Sequence, residues 1–244
     1  MSRTTTRMKN PDQSWIEYWD TENDVREANW QNSMSVFLRA TEPLLEYGPQ
    51  DVVLDIGCGP GYLEASLKDT VKEIHGLDTS PRCLDLCKKK FARDAHLFFH
   101  HLPADHYTDL SFLPSRTFSI IVCNSVVQYY RDVGEVERLI EEVRRVALPG
   151  ARFLIADIPT QSSSPRGTWR LLRKAFREHC LGETVKLMFR FSSSEYRKLF
   201  LSRGFLVIPV ETLEEMIQRL KVDAVVLDDE LTLVAGRRHV LVKF

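Results

Sequence analysis

The sequence lacks a dominant charge: 33 Lys and Arg stand against 34 Asp and Glu, so the whole molecule has no field that would draw it onto nucleic acid or an anionic membrane. It lacks an apolar run of membrane-spanning length, and its first residues, MSRTTTRMKNPDQ, hold no apolar leader. No internal repeat or low-complexity tract interrupts it. Cysteine is sparse and odd in number. Cys58, Cys83, Cys87, Cys123 and Cys180 fall mostly in apolar or helical segments, which suits a reduced compartment better than a disulfide framework. Cys83 and Cys87 share a helix face at i, i+4, but no further Cys or His pair completes a zinc set, so no metal is expected. These absences predict a soluble, cytoplasmic chain, one domain plus excursions.

What the sequence does have is alternation. From residue 51, β-like runs at 52–56, 73–77, 95–99, 118–124 and 152–157 alternate with helical patterns at 62–68, 82–91 and 133–147, the last stopped by Leu148-Pro149-Gly150. Closing strands are expected at 205–210 and 239–244. This order predicts a parallel sheet with helices on both faces and a ligand site at the carboxyl ends of the strands. Two segments stand outside it. Residues 1–50 read as an N-terminal helical extension, and 160–203 as an inserted helical cap, leaving 51–159 with 204–244 as the core.

At the first strand end stands VVLDIGCGPGYL, with Gly57, Gly59 and Gly61 two apart behind Asp55. Glycine permits positive φ and lets a ligand lie against the main chain. Asp55, near-buried at a strand end, needs a reason such as a cationic ammonium group. Asp78 ends the second strand about twenty residues later, where a carboxylate can grip both ribose hydroxyls. Asp105, in LPADH after the third strand, can accept from an adenine amino group. Together they describe an adenosine with an amino-acid tail.

DIGCGPG at 55–61, GLDTS at 76–80, Ala104-Asp105, FSIIVCNS at 118–125 and RVALPGAR at 145–152 resemble, in content and order, the successive signatures of a class I S-adenosylmethionine-dependent methyltransferase. A dinucleotide fingerprint would need its third glycine one residue later, where Tyr62 stands. The resemblance implies a Rossmann-like seven-stranded, mostly parallel sheet with an antiparallel last strand. It implies S-adenosylmethionine as cofactor, with S-adenosylhomocysteine as product. Asp55, Gly57, Cys58, Gly59, Gly61, Tyr62 and Leu63 would then line the methionine end. Asp78, Thr79 and Ser80 would meet the ribose; Ala104, Asp105 and His106 would flank the adenine. Asn124, Ser125 and Tyr129 would close over the cofactor, with Tyr18 and Trp19 as a roof. Ser119 departs from the Asp common at its position.

Methyl transfer needs mainly a positioned acceptor and excluded water. If the acceptor must lose a proton, Tyr129, Asp157 and His179 are the candidate bases. Trp15 and Trp19, at i, i+4, fit core packing as well as a roof. The 160–203 segment holds ten Lys or Arg against three Glu, a net +7, with Trp169, Leu172 and Phe176 recurring along one helix. A solvated helix, capture of an anionic acceptor and a membrane-surface contact all fit that pattern, the membrane contact less well; no stable nucleic-acid binding is expected. Three functions stay open: methyl transfer to a small organic acceptor at O, N or C, anionic or lipid-like acceptors included; methylation of a protein or peptide terminus; and non-catalytic binding of S-adenosylmethionine by a regulatory protein.

Overall fold

A computed structural model describes residues 11–21, 27–160, 195–228, 230–232, 234 and 236–244, together with 172, 173, 175–177, 182 and 185. Helices α1 (Pro11–Asp20) and α2 (Glu27–Leu45) precede a βα alternation: β1 (Val52–Ile56), α3 (Tyr62–Leu67), β2 (Glu73–Asp78), α4 (Pro81–Lys90), β3 (Leu97–His101), β4 (Phe118–Asn124), α5 (Val133–Val146) and β5 (Ala147–Pro159). Helices α6 (Glu195–Arg203) and α7 (Val210–Leu220) then lead into β6 (Asp223–Leu227) and β7 (Arg237–Lys243).

The seven strands lie in the order β3-β2-β1-β4-β5-β7-β6. β7 runs antiparallel to both neighbours and the other pairings are parallel, which is the expected Rossmann-like sheet. Strands covered on both sides read as continuous apolar runs, and alternate residues feed two cores. Leu54, Leu77, Ile121 and Val143 belong to one; Val53, Ile74, Ile120 and Leu63 belong to the other. Simple alternation would place Phe118 with Ile120. Phe118 instead joins Ile121 in the first core, at the point where β5 carries three extra residues, Leu148 to Gly150, between its pairings with Phe118 and Ile120. Ser119 ties β4 to β1, donating to Asp51 Oδ1 at 2.7 Å and accepting from Val52 N–H at 3.1 Å.

Several boundaries differ from the sequence reading. The third strand, expected at 95–99, runs two residues later, Leu97–His101. Residues 205–209 form no strand. Pro209 precedes α7, whose residues Leu213 and Met216 are buried on one face, and β6 comes from the half-buried DAVVL segment instead. The 133–147 helix stops at Val146, and Leu148-Pro149-Gly150 lies inside β5. Of the inserted cap, Ala175 is buried and Phe176 exposed; Trp169, Arg170, His179 and Cys180 lie outside the described residues. Among the described residues no helix is long and apolar enough to cross a membrane.

Phe118 is fully buried whereas Phe112 is 49% exposed. Phe118→Ala should therefore lower unfolding free energy by about 3–5 kcal/mol, and Phe112→Ala by less than about 1 kcal/mol. Urea denaturation of both variants checks the contrast.

Candidate functional site

The glycine loop joins β1 to α3 at the carboxyl end of the sheet, and the end of β2 holds it there. Gly57 and Cys58 N–H both donate to Leu77 O, at 2.7 and 2.9 Å, and Gly59 N–H donates to Asp78 Oδ2 at 2.8 Å. Asp78 Oδ1 accepts from Ser80 N–H at 2.8 Å. Burial pushes the Asp78 carboxyl up while these backbone donors, with Thr79, hold it down.

All three motif glycines have positive φ, but their missing Cβ atoms serve different purposes. A Cβ on Gly57 would strike Val126, and one on Gly61 would come within 2.7 Å of Phe91 and 3.0 Å of Cys87 Sγ. Those two positions are kept small by packing. A Cβ on Gly59 would meet no heavy atom within 4 Å; here the backbone borders open space, the cradle a ligand would fill. Cys58, Tyr62 and Leu63 turn their side chains into the protein.

Asp55 is buried beneath this loop, its carboxyl pushed well above the usual range by desolvation and then by Glu64 and Asp78. A bound cation would relieve that repulsion. Glu64 is the residue the sequence reading missed. It sits in α3 where a surface glutamate would be unremarkable, yet it is fully buried and neither carboxyl oxygen has a hydrogen-bond partner. Its Oε1 lies 2.6 Å from where a Cβ on Gly76 would stand, so that glycine makes room for it. Burial pushes its carboxyl up to about 8.

Ser80 caps α4, accepting from Cys83 N–H at 3.1 Å and donating to Asp20 Oδ1 at 3.0 Å. The carboxyl end of α1 is thereby fixed beside Asp78. Ala104, Asp105 and His106 follow β3 on an exposed loop, tied to β2 where Leu102 N–H donates to Asp78 O at 2.9 Å.

Beyond β4 and β5 lies a second cluster. Ser125 and Asp157 both take positive φ, 59° and 66°, a costly conformation for residues with side chains. They meet: Ser125 Oγ donates to Asp157 Oδ2 at 2.7 Å. Thr232 Oγ1 also donates to Asp157, at 3.2 Å, and Asp157 N–H donates to His239 Nδ1 at 3.1 Å. Burial pushes the Asp157 carboxyl up, opposed by Arg237, Ser125 and Thr232. Above them Trp15 packs against Tyr129, Tyr196 and Phe205 with ring centroids 4.9, 5.1 and 5.3 Å apart. Tyr18 and Trp19 stack edge-on against Tyr196. The Tyr129 and Tyr196 hydroxyls lie 3.1 Å apart, and burial pushes Tyr129 up to about 12, so it stays protonated. Asn124 ends β4 beside this cluster. His179 lies outside the described residues. No group of three or more His, Cys, Asp or Glu among the described residues could hold a metal ion.

Glu64 has a definite pH signature. Its unfolded form ionises near 4.5 while the folded form keeps its proton to about 8, so stability is highest below 4.5 and falls as pH rises through about 8. The slope in that window is at most about 1.4 kcal/mol per pH unit. Glu64→Gln should flatten this slope and raise the melting temperature at pH 8 relative to pH 5, read by thermal denaturation across pH.

The methyltransferase domain family matches residues 53–150, the stretch from β1 to the start of β5. Chondramide synthase of Chondromyces crocatus is 33% identical over 129 residues, which is 51% of this chain and 3% of the synthase. The chain spans about half to 60% of shorter curated relatives. A SAM-dependent methyltransferase from Leishmania major has a TM-score of 0.62 at 11% identity, covering 96% of this chain and 82% of that one. Geranyl diphosphate C-methyltransferase from Streptomyces coelicolor, solved with geranyl diphosphate and S-adenosyl-L-homocysteine, has a TM-score of 0.56 at 14% identity, covering 97% and 98%. At these identities the structural likeness is one of fold. Residues 53–150, which hold the glycine loop and its acidic partners, thus match the methyltransferase domain family, and the seven-stranded sheet that carries them has the fold of S-adenosylmethionine-dependent methyltransferases.

Proposed function

We propose that the chain transfers a methyl group from S-adenosylmethionine to a small organic acceptor. The observation that carries this reading is the open space beside Gly59, whose N–H is held by Asp78, with Asp55 buried at the end of the adjoining strand. Asp78 accepts one backbone N–H at each carboxylate oxygen, which leaves lone pairs for two ribose hydroxyls. Asp55 supplies the negative charge for an ammonium group. The geranyl diphosphate enzyme, crystallised with the demethylated product on a similar fold, supports the same assignment.

When bound, S-adenosylmethionine supplies an electrophilic methyl carbon. What the chain supplies is position and dryness. The rings of Trp15, Tyr18, Trp19, Tyr129, Tyr196 and Phe205 form a continuous cover past the ends of β4 and β5, excluding water from the acceptor side. That closed cover favours a small acceptor, anionic or lipid-like, over a folded protein. Tyr129 keeps its proton, and Asp157, held by Ser125 and Thr232, is the group to take a proton from an acceptor that must lose one.

Isothermal calorimetry should show S-adenosylmethionine binding and none of NAD, because Tyr62 stands where a dinucleotide loop needs glycine. NAD binding in preference would overturn the reading. Asp78→Ala should weaken the cofactor by about 1–3 kcal/mol. Gly59→Ala, whose methyl enters open space but whose φ of 52° strains any side chain, should cost about 1–2 kcal/mol of stability and cut cofactor affinity about tenfold or more, whereas Gly57→Ala, whose methyl would also strike Val126, should destabilise the domain more. Unchanged binding by Gly59→Ala would move the cofactor elsewhere.

A further inference from the structure

Arg237 begins β7 opposite Pro159, the last residue of β5, and its side chain is 15% exposed. Its Nε lies 3.5 Å from Asp157 Oδ1, longer than the 2.7–2.9 Å typical of a charge-assisted hydrogen bond. Its guanidinium carbon stands 5.9 Å from the centre of the Phe205 ring. Nη1 is buried and has no hydrogen-bond partner. Asp157 does not need this arginine for its hydrogen bonding, since Ser125, Thr232 and Arg237 converge on it with the two hydroxyls already at 2.7 and 3.2 Å. Arg145 shows what a structural arginine does in this fold: its Nη1 donates to Leu113 O at 3.0 Å and to Ser115. A guanidinium carries five N–H donors in a planar fork suited to a carboxylate, and a buried donor left unmade is costly.

We propose that Arg237 is the anion contact of the acceptor site and that the acceptor is a carboxylate on a flat apolar body, seated among Trp15, Tyr129, Tyr196 and Phe205. The proposal deepens the methyl-transfer reading and rests on it. The guanidinium pairs with the carboxylate through Nη1, and the aromatic rings take the apolar body by stacking and edge contacts. The loose Asp157 pair leaves the fork free to turn toward a second anion. The acceptor reaches Nη1 by displacing the covering rings of Trp15 on α1 and Tyr196 on α6.

The test is calorimetric titration of trans-cinnamate and its neutral isostere cinnamamide into the full chain saturated with S-adenosylhomocysteine. Cinnamate should bind saturably and the amide about tenfold more weakly or worse. Arg237→Gln should lose about tenfold or more for cinnamate while S-adenosylhomocysteine affinity stays within about twofold, and Arg237→Lys should keep part of the preference for the acid. Since Arg237→Gln strands Asp157 as a buried charge, the Asp157→Asn, Arg237→Gln double variant keeps the test alive if the single one fails to fold. Equal affinity for acid and amide, unchanged cinnamate binding in the variants, or no saturable cinnamate binding by the parent chain overturns the inference. A separate titration of S-adenosylhomocysteine reports on the cofactor reading. Should that fail, the same cinnamate series without it still decides the role of Arg237.

Discussion

The glycine loop has its shape because the end of β2 pins it from the side. One carbonyl, Leu77 O, receives the N–H groups of both Gly57 and Cys58, and one carboxylate oxygen of Asp78 receives that of Gly59. These bonds join β1 to β2 beyond the last rung of their ladder, Ile56 opposite Leu77. They leave little choice in where the loop goes. The remaining oxygen of Asp78 then orders Ser80, Ser80 caps α4, and its hydroxyl fixes Asp20 at the end of α1. A single acidic side chain thus sets the loop, starts a helix and anchors the cover.

The same pinning explains why a buried negative cluster is tolerated. Asp55, Glu64 and Asp78 lie near one another with their carboxyls all pushed upward. Three mutually repelling groups under a loop would open it if the loop were free. Asp78 escapes part of the penalty through its backbone donors, while at Glu64 burial outweighs every opposing contribution and the carboxyl keeps its proton. The arrangement favours a ligand that brings positive charge to Asp55 without requiring a compensating side chain there.

The sheet was legible in the sequence where a strand ends in punctuation. Gly57, Asp78, Asn124 and the FSIIVCN run mark the ends or bodies of central strands, and their order alone predicts the parallel core. The failures have physical causes. Residues 205–210 have strand-like composition, but Pro209 supplies no N–H for a ladder and opens α7 instead. DAVVL reads weakly because β6 is an edge strand, only partly buried. For the site, the glycine loop and Asp78 could be found from spacing, whereas Glu64 and Arg237 could not. A glutamate on a short helix and an arginine in a closing strand look like surface residues until the fold buries them. The three glycines carry a similar lesson, since equal spacing concealed two packing requirements and one ligand-facing gap.

Helix α1 is the element on which the two halves of the site converge. Its last residue, Asp20, accepts from Ser80 beside the Asp78 carboxylate, and its Trp15 donates from Nε1 to Gly204 O at 3.2 Å, near the ends of β4 and β5. Between them Tyr18 and Trp19 pack against Tyr196 and Tyr129. Any displacement that admits an acceptor to the aromatic cluster must move Trp15, and Trp15 cannot move far while Asp20 stays bonded to Ser80, because a helix of ten residues transmits rotation along its length. The cover therefore links acceptor entry to the state of the Asp78–Ser80 corner. One short helix is thus tied at Asp20 to the corner after β2 and at Trp15 to the turn after α6, so the two regions at the carboxyl end of the sheet share one structural element.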